Sequence, residues 1–479
     1  MLFSSVTFLF CFLPLSLLIY GITPRSWANA VLLVASLVFY ACPAPGNAWL
    51  LLTSIVFNWI AGLTIEKTHS RRAKFLSLTL AVAANLSALA FFKYFELRPP
   101  AIPLVSEFIP IPAPGQRSVF HSIPVGISFF TFHAISYLVD IYRGEATAFA
   151  NPLGIGLYLS FFPQLISGPI ARFKLLAPQI RARTVTLSRF SAGAERFLFG
   201  LGKKLLIADP VGAAADHVFA LPLPDLSTSN AWFGLLAYSL QIYFDFSGYS
   251  DMAIGLGQLF GFELPENFNY PYASRSVREF WRRWHITLSL WFRDYVYIPL
   301  GGSRGSKWGV AARLFLVFFL CGWWHGNQLS FVLWGLWHGL FLSLERSAWG
   351  AKIARAPALA ARTYTILVVM AGWVLFRSPT LFDAAGFYAT LLGLRSGPSY
   401  GHAILLYHTA KTLIPMAVGI LLTMPIFPWL CALNLQPLFG KMAPEWAYGL
   451  RVSLALLVFI LSSSFAASQT YHPFLYFQF

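Results

Sequence analysis

The stretch Leu314–Leu344, LFLVFFLCGWWHGNQLSFVLWGLWHGLFLSL, runs without a formal charge between Arg313 and Glu345. A helix needs about 20 apolar residues to cross the hydrocarbon core of a bilayer, so this stretch reads as membrane-embedded. Within it stands Trp323-Trp324-His325-Gly326-Asn327. An ionisable ring in such surroundings is costly and marks a candidate functional site. Histidine is also the side chain suited to take a proton near neutral pH. The plainer alternative is a histidine that hydrogen-bonds a neighbouring helix and holds a bundle together.

The same pattern recurs outward from there. Residues 26–65, 118–139, 146–171, 226–244, 412–440 and 452–479 also lack Asp, Glu, Lys and Arg. Hydrophobic residues make up 57% of the chain and charged ones 11%, against about 25% charged in soluble domains. The predicted fold class is all-α: a polytopic integral membrane protein of about 11 transmembrane helices plus re-entrant and interfacial helices. Met1–Thr23 has an apolar run but no basic lead and no small-residue cleavage site, so it reads as the first membrane helix. Spans at 3–22, 28–42 and 47–65 follow one another, with a tight turn at Pro43-Ala44-Pro45-Gly46.

The net charge is +16. In a soluble protein that would raise nucleic acid as a partner. Here the basic residues cluster in short loops, the positive-inside signature, so no nucleic-acid partner is expected. Eight basic residues and one acid lie between Arg172 and Lys204, and eight with two acids between Arg275 and Arg313. Both regions are expected to face the cytoplasm, as is Lys67–Lys74, which places the amino terminus outside. The four cysteines form no C-x-x-C pair, which points away from a disulfide framework and from a metal site.

Three segments break the regular pattern. Residues 94–120 hold six prolines and mixed charge and read as an external loop. Pro163 and Ile166-Ser167-Gly168-Pro169 interrupt the span near 149–171. Broken backbone at membrane depth is tolerated only under protein or beside a water-filled cavity, so 160–172 is either a cavity wall or a simple proline kink. Tyr272–Leu300 mixes Arg275, Arg278, Arg282, Arg283 and Arg293 with Phe280, Trp281, Trp284, Trp291 and Phe292. Sinking four of those arginines to mid-bilayer costs on the order of 10–14 kcal/mol, whereas an anionic surface attracts each by roughly 1 kcal/mol. The segment is therefore expected to lie on the inner leaflet or dip into it.

His285 sits on that segment, 40 residues before His325, far enough for a return loop and a helix between the two rings. Phe280-Trp-Arg-Arg-Trp-His285-Ile-Thr-Leu-Ser289, followed by Trp324-His325-Gly326, resembles the membrane-bound O-acyltransferases, the MBOAT family. The similarity extends to Phe244-Asp245-Phe-Ser247-Gly248-Tyr249-Ser-Asp251, Glu266-Asn267-Phe268, Ile298-Pro-Leu-Gly301-Gly302, Ser167-Gly168-Pro169 and Val139-Asp140-Ile-Tyr142-Arg143-Gly144. Within the family the membrane subunits of bacterial polysaccharide O-acetylation, the alginate type among them, look most alike. Cys321-Gly322-Trp323 and Ser303 depart from the usual family pattern, which leaves substrate details less constrained than the ring positions.

The resemblance implies a single membrane domain over 1–479 around a central tunnel, with N-terminal helices and loop in 1–120, a catalytic core in 121–345 and C-terminal helices in 346–479. It implies that His325 stands at the family's histidine and His285 at its second polar position. Acyl transfer to a hydroxyl needs a base beside the attacking oxygen and a thioester at attack distance, which suits His325 as base. His285 then orients the acceptor or steadies charge on the carbonyl oxygen. No permanently bound cofactor is implied; acetyl-CoA enters as the acyl donor, with Arg304, Lys307, Trp324 and Asn327 as its candidate contacts. Plain positive-inside charge competes for Arg304 and Lys307, and capping of the next helix for Asn327.

Asp245 and Asp251 have no nearby His or Cys and are expected to pair with cytoplasmic-side arginines rather than act in catalysis. His338, 13 residues beyond His325, falls about 220° round a continuous helix and is expected to be structural. The leading expectation is an O-acetyltransferase subunit in a bacterial inner membrane, working with periplasmic acetyltransferase subunits on an alginate- or cellulose-like exopolysaccharide. D-alanyl transfer to teichoic acid is the near alternative. A proton-coupled transporter or flippase is the alternative of another class, and the absence of matching halves in the sequence counts against it.

Overall fold

Wherever they are described, the uncharged stretches fold as helices, because a segment in lipid must satisfy its backbone within itself. The computed structural model describes residues 1–42, 45–95, 124–395, 397, 409–426 and 444–468. Among the described residues there is no β-strand. Five helices among the described residues are long and apolar enough to cross a membrane: Ala48–Lys67, Arg71–Tyr94, Lys307–His325, Ala358–Arg377 and Gly449–Ser468. Phe8–Ile22, Ala28–Ala41, Leu329–Leu344 and Ala410–Leu422 are apolar but shorter. Nearly all of the external loop expected over 94–120, and the centre of the turn at 43–46, lie outside the described residues.

The chain divides into two compact units, Met1–Ala194 with Ala253–Pro265, and Glu195–Met252 with Glu266–Phe479. These boundaries cut across the expected division at 120 and 345. The first unit is filled by aromatic packing: Phe12 and Phe39 each lie 5.4 Å from Phe162, ring centre to ring centre. Its broken span is a true interruption rather than a kink. Helix Pro152–Ser160 stops, a single turn Phe162–Leu165 follows, and helix Phe173–Arg181 starts after irregular backbone. That backbone is buried and served by side chains. Ser36 Oγ accepts from the Phe162 N–H (3.1 Å), and Tyr158 Oη donates to the Ala171 carbonyl (2.9 Å). Gly168 is needed there, since a Cβ would lie 2.3 Å from the Pro163 carbonyl oxygen.

In the second unit, helices Leu187–Gly202 and Thr228–Leu259 cross at a pair of glycines. A Cβ on Gly200 would meet the Gly248 carbonyl at 2.7 Å, and one on Gly248 the Gly200 carbonyl at 2.8 Å. This close approach brings opposite charges together. Asp251 receives Arg196 at 2.9 Å and Lys203 at 2.6 Å, and Arg196 also binds Glu266. Asp245 and Asp209 share Lys204, at 2.6 and 2.7 Å, with all three side chains buried. The expected ion pairing of Asp245 and Asp251 is thus observed, with lysine rather than arginine at Asp245.

Candidate functional site

His325 is the last residue of helix Lys307–His325, and Gly326 continues in extended backbone before helix Leu329–Leu344. The two helices form a tight hairpin because small residues line their seam. A Cβ on Gly322 would lie 2.3 Å from the Phe331 carbonyl oxygen, and one on Gly335 2.1 Å from that of Phe318. Such close backbone approach is the usual way helices pack where lipid removes the hydrophobic drive. The hairpin buries His325 among aromatic rings. Trp334 and Phe376 lie edge-on at 5.0 and 5.1 Å, and Trp324 at 4.6 Å. Aromatic rings thus surround this imidazole.

His285 is held differently. Helices Val277–Arg283 and Ile286–Phe292 are seven residues each, too short to cross a membrane. Arg275, Arg278, Arg282 and Arg293 are exposed and Arg283 is half-buried, while Phe280, Trp281, Trp284, Trp291 and Phe292 are buried. Between the two helices His285 adopts φ 41°, a left-handed conformation uncommon for a side-chain-bearing residue. Backbone bonds pin the base of this loop: Ile286 N–H donates to the Asn267 carbonyl (2.9 Å) and Asn269 N–H to that of Arg283 (3.0 Å). The His285 ring is buried, with Nδ1 3.0 Å from Asn267 Oδ1 and Phe246 edge-on at 4.7 Å. Burial lowers its pKa from the ordinary value to about 3, so the ring is neutral at physiological pH.

A buried carboxylate anchors the same segment. Glu345 Oε1 and Oε2 accept from the N–H groups of Val277 (2.7 Å) and Arg278 (2.9 Å) at the start of helix Val277–Arg283. Arg278 Nη2 donates in return to the Glu345 carbonyl at 2.8 Å. Since Glu345 ends the His325 hairpin, it ties the two histidine-bearing segments to one another. One aromatic chain also joins them. From His285 it runs through Phe246, Phe268, Trp284, Trp373 and Phe376 to His325, with ring centres 4.7–5.8 Å apart.

The remaining candidates separate. Trp324 is buried beside His325, whereas Asn327 is exposed. Gln328 occupies the N-cap position of helix Leu329–Leu344 and makes no side-chain cap, so Asn327 does not cap it as expected. Arg304 and Lys307 are exposed at the other end of the 19-residue helix from His325, about 27 Å away along its axis. Their loop is shaped by Arg313, whose Nε donates to the Gly302 carbonyl at 2.9 Å.

His338 requires a correction. The helix is not continuous from 325 to 338, so the expected 220° separation does not apply. Being on the returning helix, His338 packs at 5.3 Å against Trp334, the ring that also contacts His325, and at 5.2 Å against Trp281. Sequence reasoning missed the roles of Asn267 and Glu345. The only signal for Asn267 was its place in Glu266-Asn267-Phe268. Among the described residues, no group of three or more His, Cys, Asp or Glu is placed to hold a metal ion.

Comparison with known proteins places this arrangement. Residues 149–377 match MBOAT, the membrane-bound O-acyltransferase family. The chain is 43% identical to a probable alginate O-acetylase AlgI of Pseudomonas aeruginosa, over 82% of its own length and 75% of the relative's. It is 39% identical, across the whole of both chains, to the probable alginate O-acetylase AlgI of Pseudomonas putida. A peptidoglycan O-acetyltransferase of Helicobacter pylori is 36% identical over 84% of this chain and 81% of its own. The chain therefore belongs to the membrane-bound O-acyltransferase family and is a multi-pass membrane acyltransferase.

Proposed function

We propose that this chain is the membrane subunit that supplies acetyl groups for O-acetylation of an exopolysaccharide, taking them from acetyl-CoA on the cytoplasmic side. The observation that carries the proposal is His325, an imidazole buried in an aromatic box at the turn of a helical hairpin with no formal charge from Leu314 to Leu344. In this role His325 takes the proton of the acceptor hydroxyl as its oxygen attacks the thioester carbonyl. The C–O bond forms, the C–S bond breaks, and the thiolate leaves to be protonated. His285 contacts the acceptor or the carbonyl oxygen from the inner-leaflet segment. Arg304 and Lys307 meet the phosphates of an extended donor lying along helix Lys307–His325, with Trp324 and Asn327 near its acyl end.

The full proposal comprises about 11 crossings around a central tunnel in a bacterial inner membrane. Acetyl passes through that tunnel to periplasmic acetyltransferase subunits and on to an alginate- or cellulose-like polymer. Relatives named as O-acetylases and matching most or all of the chain favour acetyl over D-alanyl transfer. The test is polymer O-acetyl content in cells lacking the chromosomal copy and carrying wild type or His325→Ala at equal membrane levels. Wild type should restore O-acetylation and His325→Ala should leave the polymer bare. Acetylation at wild-type level in the variant would refute the proposal.

A further inference from the structure

We infer that Asn267 is a positioning residue that fixes His285 in its Nδ1–H tautomer, so that His285 meets substrate only as a hydrogen-bond acceptor. Its contact is then an O–H of the acceptor, and not the charge gathering on the carbonyl oxygen. The inference rests on the proposed function in taking His285 as a substrate contact; the hydrogen on Nδ1 follows from geometry and the bare Nε2 from burial.

The orientation of the Asn267 amide decides the matter. The Thr287 backbone N–H lies 3.3 Å from Asn267 Oδ1, and a backbone N–H can only donate. That atom is therefore the amide oxygen; turned over, the amide would set NH2 against N–H. Thr287 Oγ1 donates to the same oxygen at 3.0 Å. On its other side Asn267 Nδ2 donates to Ser250 Oγ at 3.1 Å. His285 Nδ1 stands 3.0 Å from this oxygen. An amide oxygen has no hydrogen to offer, so Nδ1 must carry one. Burial keeps the ring neutral, and a neutral imidazole has a single ring hydrogen. Nε2 is left with a lone pair, which accepts from O–H and repels an oxyanion.

The framework leaves the pair little freedom. Asn267 is fixed through its own carbonyl to Ile286 N–H, one residue past the ring it supports. Phe246 holds the ring edge-on from helix Thr228–Leu259, the helix that also carries Ser250. Of the two roles left open for His285, the structure supports orientation of the acceptor and excludes donation to the developing oxyanion.

The test is nitrogen-15 solid-state NMR of full-length, histidine-labelled protein in lipid bilayers, with His285→Gln identifying the signal by its loss. Wild type should show His285 protonated at Nδ1 and bare at Nε2. Asn267→Leu should abolish that pattern and lower acetyl transfer in isolated membranes by at least about tenfold. Asn267→Asp keeps the acceptor oxygen, so it should retain Nδ1–H and stay within roughly threefold of wild-type transfer, a rescue that a loss of fold would not produce. An Nε2–H signal in wild type, or Asn267→Leu with wild-type tautomer and rate, overturns the assignment. His285→Gln transferring at the wild-type rate overturns instead the reading of His285 as a substrate contact, and is distinguishable because the tautomer pattern would persist in the unsubstituted protein.

Discussion

The two histidine-bearing regions reach a similar burial by opposite means. Residues 307–344 form a regular hairpin in which glycines bring two helices together and aromatic rings enclose His325. Residues 266–300 are two short helices around a left-handed residue, held by hydrogen bonds from Asn267, Thr287 and Glu345. In the hairpin, close helix approach and ring packing enclose the histidine. In residues 266–300, a strained backbone persists because its polar groups are satisfied on several sides. The two regions should therefore fail in different ways: the first to added volume, the second to lost acceptors.

The largest effect is expected in the hairpin. Gly335→Ala sets a methyl 2.1 Å from the Phe318 carbonyl oxygen, a contact that only helix separation relieves. Overpacking of this kind costs about 1–3 kcal/mol, and a backbone obstacle belongs at the upper end. Thermal unfolding in detergent should fall accordingly, and acetyl transfer with it. A neutral result would show that the seam is looser than its geometry.

Glu345→Ala comes next. It strips two charge-assisted bonds from the start of helix Val277–Arg283, a loss of roughly 2–3 kcal/mol, whereas Glu345→Gln keeps one acceptor and should cost about half. Equal stability in the two variants would discount the cap. Ser276→Ala is smaller still. It removes the N-cap bond that Glu279 N–H donates to Ser276 Oγ (3.0 Å), typically about 1 kcal/mol, and should leave the hairpin undisturbed by hydrogen exchange. The smallest effect on stability belongs to the exposed pair. Arg304→Glu with Lys307→Glu should leave unfolding unchanged and raise the donor KM several-fold, roughly 1 kcal/mol of binding. An unaltered KM would remove those two residues from the donor site.

The same contrast governs how much was legible in the sequence. Apolar length and missing charge predicted the helices at 8–22, 28–41 and 48–67 closely, since these follow from solvation alone. Glu345 was read only as the charge that ends an apolar run, because its partners lie 67 and 68 residues upstream. Asn267 was one letter of a motif, and nothing in periodicity reports which amide will face which ring. His338 was misplaced because the chain turns at Gly326, where extended backbone converts one expected helix into two. Local patterns reveal solvation; convergence of polar side chains is a property of the assembled fold.

The most direct measurement is steady-state acetyl transfer by the full-length protein in membranes, comparing wild type with His325→Gln at matched abundance and matched thermal unfolding. Glutamine fills much of the space of the imidazole but has no basic nitrogen. A fall in kcat of about 100-fold or more, with the donor KM unchanged, is the result expected of a proton-accepting His325. An unchanged kcat would contradict it and reduce His325 to a packing residue of the hairpin.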